Sequence, residues 1–123
     1  MAALSKILRN AEGNILNFKC PGCNMVHGIR YGTDPQKDWY WNGDAEKPTF
    51  HPSILVEYEH MSIEGSNRSR AFYKEHGRYL TREELPYDLK DICHSFVTNG
   101  RIQFLSDCTH ALANQTVDLP EWT

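Results

Sequence analysis

The stretch CHSFVTNGRIQFL, residues 93–105, carries the clearest structural signal in the chain. Asn99 and Gly100 separate two runs in which apolar and polar side chains alternate, and an Asn-Gly pair suits the two-residue turn of a β-hairpin. A turn at this place gives the pairs Thr98 with Arg101, Val97 with Ile102, Ser95 with Phe104, and Cys93 with Ser106. The stretch therefore predicts a hairpin that anchors an antiparallel sheet.

The pairing divides the hairpin into two faces, because successive side chains of a strand point to opposite sides. One face carries Val97, Ile102, Phe104 and Cys93, and the other carries His94, Phe96 and Leu105. In a regular strand Cys93 and His94 then point in opposite directions, and a β-bulge at either residue would exchange them.

Two further cysteines lie in FKCPGC, residues 18–23, where a Pro-Gly turn separates them by two residues. This spacing lets two thiolates approach one tetrahedral zinc ion from a single segment. The open end of the hairpin brings Cys108 towards Cys93, which supplies the other half of a site. The predicted Zn²⁺ ligands are Cys20, Cys23, Cys93 and Cys108, with His94 and His110 as alternates. His27 lies roughly 13 Å from Cys23 if the segment is extended at about 3.3 Å per residue, which argues against it as a ligand.

The remaining pattern indicates mostly strands. Strands are expected near residues 15–18, 25–31 and 50–60, a loop over 61–70, a short strand pair over 71–80, and short helices after Thr81 and after Ser106. The expected core is Ile15, Phe18, Ile29, Trp41, Leu55, Val97, Ile102 and Phe104. These elements predict a single zinc-binding domain over residues 1–123, of β-rich α+β class, with antiparallel hairpins pinned by a zinc knuckle.

Composition excludes some classes of function. No apolar run is long enough to span a bilayer, and the amino terminus has no secretion signal, so we expect a cytoplasmic protein whose cysteines bind metal and form no disulfides. The net charge of −3 argues against nucleic-acid binding as the function. A local basic patch still lies within residues 68–78, at Arg68, Arg70, Lys74 and Arg78.

The motifs FKCPGC, WYWNGD, KPTFHPSIL, ICHSFVTNGRIQFL and DCTHALANQTVDLP, in this order, resemble a family of small phage and prophage proteins of unassigned function. The resemblance runs from about Phe18 to Trp122, interrupted over residues 61–91. Members often carry the name ammonia monooxygenase and look like zinc-binding proteins. The resemblance implies a phage-derived protein of the bacterial cytoplasm. We do not expect monooxygenase activity, because thiolate ligands suit redox-silent zinc and the reaction needs a redox metal.

Two functional hypotheses follow. The favoured one is a non-enzymatic binding module with a structural zinc, which contacts a host protein or a small nucleotide through Trp39, Trp41, Asp44, His51 and Phe96. The alternative is a zinc-dependent hydrolase in which His94, His110 or Asp107 acts on a zinc-bound water. The number of protein ligands on the metal distinguishes the two, and the oligomeric state is left open.

Overall fold

The computed structural model describes residues 2–122, which form two β-sheets and one α-helix. The first sheet has four strands in the order β1-β2-β3-β4, each antiparallel to the next. These strands are β1 (Ala2–Ala3), β2 (Arg9–Ala11), β3 (Ile15–Cys20) and β4 (Met25–Arg30). Leu16, Phe18 and Cys20 are all buried, so β3 turns one face of this sheet to the core.

The second sheet has five strands in the order β5-β6-β7-β8-β9. These strands are β5 (Tyr40–Trp41), β6 (Phe50–His60), β7 (Leu89–Thr98), β8 (Arg101–Phe104) and β9 (Thr116–Asp118). The pairs β5–β6, β7–β8 and β8–β9 are antiparallel. β6 and β7 are therefore neighbours, and β7 is the central strand of the sheet.

The predicted hairpin forms in the predicted register. Ser95 pairs with Phe104, and Val97 with Ile102, next to the turn. Asn99 and Gly100 both have positive φ, 51° and 78°, as a type I′ turn requires. The residues assigned to the inner face are buried, whereas Phe96 on the other face is 36% exposed.

The two sheets share one hydrophobic core. The ring of Phe18 in β3 stacks on that of Phe50 in β6, with centroids 6.2 Å apart, and both side chains are fully buried. Burying a side chain of this size contributes about 1.5 to 3 kcal/mol. Phe50 therefore anchors the beginning of β6 against the first sheet.

One residue predicted to lie in the core does not. Leu55 is 52% exposed, because β6 directs Phe50 and Ile54 inwards and so turns the neighbouring Leu55 to the opposite face. Ile15 and Trp41 are only half-buried, and Leu16 takes the inward position next to Ile15. The other predicted core residues, Phe18, Ile29, Val97, Ile102 and Phe104, are buried.

The chain divides into two compact units, one made of Met1–Val56 with Cys93–Thr123 and the other of Glu57–Ile92. The shared core lies in the first unit. A single domain over residues 1–123 stays a prediction.

The second unit holds the only α-helix among residues 2–122, α1 (Ile63–His76). The predicted loop over 61–70 and strand pair over 71–80 are therefore wrong. Ser62 caps the helix by accepting a hydrogen bond from Gly65 N at 3.0 Å, and Gly77 ends it in the left-handed conformation with φ 68°. Low intrinsic helix propensity at residues 65–67, Gly-Ser-Asn, hides this helix from a sequence pattern.

Neither of the two predicted short helices forms. Glu84 Oε1 accepts from Thr81 N at 3.2 Å and from Thr81 Oγ1 at 2.8 Å, but this capping contact closes a turn and no helix follows. The chain likewise forms turns at residues 106–107 and 111–114, and no helix lies between them. The β-rich α+β class is confirmed. Within residues 2–122 no helix has the length and apolar character needed to cross a membrane.

Candidate active site and metal-binding cluster

The side chains of Ser53, His94 and Asp107 form a continuous line of hydrogen-bonding groups. Ser53 Oγ lies 2.9 Å from His94 Nε2, and His94 Nδ1 lies 3.1 Å from Asp107 Oδ2. An imidazole protonated at Nδ1 donates to the carboxylate and leaves Nε2 to accept the serine proton. This is the geometry of a Ser-His-Asp triad, which is recognised by the roles of its members and not by their order in the chain.

Three elements of the second sheet bring the triad together. Ser53 lies in β6 and His94 in the neighbouring β7. Asp107 follows β8, and Leu105 N donates to His94 O at 2.9 Å, which continues the hairpin beyond its last ladder pair. The hairpin register therefore keeps the Asp107 carboxylate beside the imidazole.

The triad is accessible from solvent. The His94 side chain is 26% exposed and that of Asp107 is 50% exposed, while Ser53 is partly buried. Leu55 and Phe96 project from β6 and β7 two residues beyond Ser53 and His94, and both are exposed. The triad therefore lies on the exposed face of the second sheet.

The sequence named two of the three residues and missed the serine. His94 and Asp107 were predicted as candidate catalytic groups, but acting on a zinc-bound water and not on a serine hydroxyl. Ser53 stands in FHPSIL, which has no G-x-S-x-G pattern. Only the pairing of β6 with β7, between residues 41 positions apart, reveals its partner.

A second cluster, between the β3–β4 hairpin of the first sheet and the core face of β7, contains three thiols and an imidazole. The ligand atoms of Cys20, Cys23, His27 and Cys93 all lie within 4.8 Å of one another. The Sγ atoms of Cys20 and Cys93 are 3.7 Å apart, and Cys23 N donates to Cys20 Sγ at 3.5 Å. The four residues can hold a metal ion.

His27 is the member that the sequence analysis rejected. Asn24 adopts a positive φ of 56° and its N–H donates to Cys20 O at 2.9 Å, so the chain reverses immediately after Cys23. β4 then runs back along β3 and places His27 opposite Phe18, two residues from Cys20. The imidazole is 5% exposed and its Nε2 has no hydrogen-bond partner in the described chain, as a metal ligand would require.

Another three residues, Cys93, Cys108 and His110, also bring their ligand atoms within 4.8 Å of one another. Cys108 Sγ is occupied by the backbone of His94: it accepts from His94 N and donates to His94 O, both at 3.2 Å. His110 Nδ1 accepts from Leu112 N at 3.2 Å, and its buried Nε2 has no partner in the described chain. His94 belongs to neither group, since its two ring nitrogens contact Ser53 and Asp107, the other members of the triad.

The close thiols have strongly altered proton affinities. The Cys93 thiol donates a hydrogen bond that lowers the pKa of Cys20 to about 4, helped by His27 and Cys23 N–H and opposed by burial. The same hydrogen bond, with burial, raises the pKa of Cys93 far above its usual range. These contacts favour the thiolate form of Cys20, and thiolates are the form that binds metal.

The residues predicted to form a binding surface lie on the first unit but do not form one site. Asp44 Oδ1 accepts from Glu46 N and Lys47 N, which makes it a turn cap, and Trp41 Nε1 donates to Asp44 O at 3.3 Å. Trp39 is half-buried, and its indole nitrogen has no partner in the described chain. His51 is exposed and stacks on Tyr40, with ring centroids 5.6 Å apart. Their role in binding stays a prediction.

The family model for the bacterial ubiquitination-like system serine protease (BubE) matches residues 3–105. No curated protein and no solved structure has a significant match to this chain.

This match corrects two predictions. The chain is not assigned to a phage zinc-binding family, and the resemblance in its cysteine motifs was misleading about origin. The interaction module with a structural zinc is wrong as the function, and the zinc-dependent hydrolase fits no better, because the family is one of serine proteases. The geometry agrees: His94 contacts the Ser53 hydroxyl on one side and the Asp107 carboxylate on the other, and neither His94 nor Asp107 belongs to a metal-binding group among residues 2–122.

Proposed function

This chain belongs to the BubE family of bacterial ubiquitination-like system serine proteases, and we propose on that premise that it cleaves peptide or isopeptide-like acyl bonds with Ser53 as nucleophile. The observation that carries the proposal is the Ser53–His94–Asp107 line, with contacts of 2.9 and 3.1 Å. The family name places such proteases in a ubiquitination-like system, which favours a protein substrate.

Each residue of the triad has one role. Ser53 Oγ attacks the substrate carbonyl while His94 Nε2 takes the hydroxyl proton, and Asp107 stabilises the resulting imidazolium through Nδ1–H. The tetrahedral intermediate collapses, His94 gives its proton to the leaving amine, and Ser53 retains the acyl group as an ester. Water, deprotonated by the same imidazole, then hydrolyses the ester and restores the serine.

We further propose that the thiol cluster binds Zn²⁺ and that this ion is structural. Cys20, Cys23, His27 and Cys93 make a Cys₃His donor set, which suits tetrahedral zinc and leaves no open position for water. The unpartnered His27 Nε2 and the lowered pKa of Cys20 support this ligand set. The ion would tie the β3–β4 hairpin to β7, one residue before His94, and so help to hold the triad in place.

A fluorophosphonate probe tests the nucleophile directly, because it phosphonylates an activated serine hydroxyl and leaves ordinary serines unmodified. Intact-mass measurement should show one adduct per chain, and peptide mapping should locate it at Ser53. Ser53→Ala should abolish the adduct. Ser95→Ala is the matched control, since Ser95 lies beside His94 in β7 but is buried on the core face.

The contrary result is equally clear. Labelling that survives in Ser53→Ala, or an absence of labelling in a folded wild-type protein, would refute Ser53 as the nucleophile.

A further inference from the structure

We propose that the substrate lies as an added β-strand along the free edge of β6 and places a basic side chain in a cavity immediately before Ser53. This inference rests on the proposed protease function and deepens it, since it concerns the substrate of the same site. It is carried by the short length of β5, the position of the cavity and the charge of the cavity lining.

β5 covers only the beginning of β6. Its two residues pair as Trp41 with Phe50 and Tyr40 with His51, whereas β6 continues to His60. On this side of β6, no strand among residues 2–122 pairs with the segment 53–56. The backbone of an uncovered edge strand is a template for an extended peptide, because its N–H and C=O groups still need partners. The free edge therefore begins at the nucleophile itself.

A cavity of about 330 Å³ lies beside Tyr40, the first residue of β5. Its walls include Tyr40, His51 and Pro52, and the last two directly precede Ser53 in the chain. A strand added beside β6 passes this cavity next to the serine. The cavity can therefore receive a substrate side chain close to the scissile bond.

The cavity lining favours a cation. It contains the carboxylates of Asp34 and Asp38 and no lysine or arginine. Asp38 is held by two contacts, from Arg30 Nε and Asp34 N, each at 3.0 Å. Asp34 Oδ1 accepts from Gln36 N at 2.9 Å, and its Oδ2 has no protein partner in the described chain.

The other walls suit the stem of a long basic side chain. The stacked rings of Tyr40 and His51 lie 5.6 Å apart at 19° and present an aromatic surface, and Pro52 adds apolar area. Lysine and arginine bury their methylene stems on apolar surfaces while the charged group reaches a carboxylate or a ring face. The Asp34 carboxylate disfavours an acidic side chain, whereas the Asp38 charge is already paired with Arg30.

Digestion of a defined library of unstructured decapeptides, read by mass spectrometry, tests the side-chain preference. Lysine or arginine should be enriched at least tenfold over glutamate within two residues of the cleaved bond. Asp34→Asn should reduce this enrichment to threefold or less. Asp44→Asn is the control, because Asp44 also caps a turn through its Oδ1 but lies outside the cavity lining.

Backbone N-methylation of the best library peptide tests the added strand. Blocking single amides should lower kcat/KM at least tenfold at alternate positions, because every second residue of an added strand bonds to β6. Methylation at the positions between them should have less than threefold effect.

The outcomes separate the two proposals. If the fluorophosphonate does not label Ser53, the proposed function fails and this inference fails with it. If Ser53 is labelled but no library peptide is cleaved, or cleavage shows no basic preference or no alternating methylation effect, this inference is wrong and the protease assignment stands.

Discussion

Asp107 Oδ2 lies 3.1 Å from His94 Nδ1, and half of the Asp107 side chain faces solvent. An exposed carboxylate interacts with the imidazolium through a more polar medium than a buried one, so its contribution is smaller. We expect Asp107→Asn to lower kcat by about 10²-fold, compared with about 10⁴-fold for the corresponding change at a buried triad aspartate. Steady-state hydrolysis of a library peptide that the wild type cleaves measures this change in kcat.

Asp118→Asn is the control for this change, because Asp118 also contacts a cationic side chain, Arg101, at 3.2 Å on the protein surface. Its kcat should match the wild type. A loss below threefold in the Asp107 variant would show that the carboxylate does not orient the histidine.

Replacing the general base should have a larger effect. His94→Gln removes the imidazole that lies 2.9 Å from Ser53 Oγ and can take its proton, so we expect kcat to fall by about 10³-fold or more. His60→Gln removes an imidazole that also pairs with a carboxylate, Asp91, but in the other compact unit. Fluorophosphonate labelling rates should fall in the first variant only, and equal rates in the two would contradict the triad.

The neighbours Ile54 and Leu55 should differ in their contribution to stability. Ile54 is 4% exposed and Leu55 is 52% exposed. Ile54→Ala should reduce the free energy of unfolding by about 2 to 4 kcal/mol, whereas Leu55→Ala should cost under about 1 kcal/mol. Urea denaturation followed by tryptophan fluorescence distinguishes them, and a similar loss in both would mean that the face assignment of β6 is wrong.

Local sequence signals predicted the parts of this structure that depend on near neighbours. Asn99-Gly100 defined the hairpin and its register, and with it the faces of Cys93 and His94. The prediction that Leu55 lies in the core was wrong because Ile54, Leu55 and Val56 are all apolar. Where apolar residues follow one another, the sequence does not show which of them face the core. The phase is set by Phe50 packing on Phe18, a contact between two sheets.

The site divides in the same way. CxxC spacing located Cys20 and Cys23, and the hairpin register located Cys93, all three of which meet in the thiol cluster. Ser53 and His27 were missed because their partners arrive through strand pairing that no local motif encodes.

The thiol cluster should contain one equivalent of zinc in purified protein. Cys20→Ser and Cys93→Ser should each reduce the zinc content below half an equivalent, measured by inductively coupled plasma mass spectrometry. His110→Gln should retain it, since His110 is outside the Cys₃His set. A chelator should lower the melting temperature, because structural zinc binding is coupled to folding. A folded protein with less than half an equivalent of any metal would contradict the site.

Asp88 should stabilise helix α1 in a pH-dependent manner. Ser62 Oγ and Ser62 N donate to its carboxylate at 2.6 and 2.9 Å, and these bonds, the hydroxyl first, lower the pKa of Asp88 below its usual 3.8. A depressed pKa means that the stabilisation is present above 3.8 and is lost as the pH falls through the lowered value. Asp88→Asn should therefore melt below the wild type at neutral pH, and the difference should shrink in strong acid.

Thermal melts monitored by circular dichroism at several pH values give this comparison. Glu83→Gln, an exposed change in the same unit, is the control. A pH-independent difference between Asp88→Asn and the wild type would show that the carboxylate charge plays no part in the cap.

β7 serves two sites from consecutive residues, with the Cys93 thiol directed to the core and the His94 imidazole to the opposite face. Inserting or deleting one residue between the hairpin turn and Cys93 would interchange the two sides, aiming sulfur at the serine and imidazole at the other thiols. A one-residue change of length in this strand would therefore disrupt both sites at once, whereas replacing the side chain of Cys93 or of His94 removes a residue from one of them. Related sequences that keep both sites can gain or lose residues in exposed turns, but the number of residues between Cys93 and Asn99 has to stay the same.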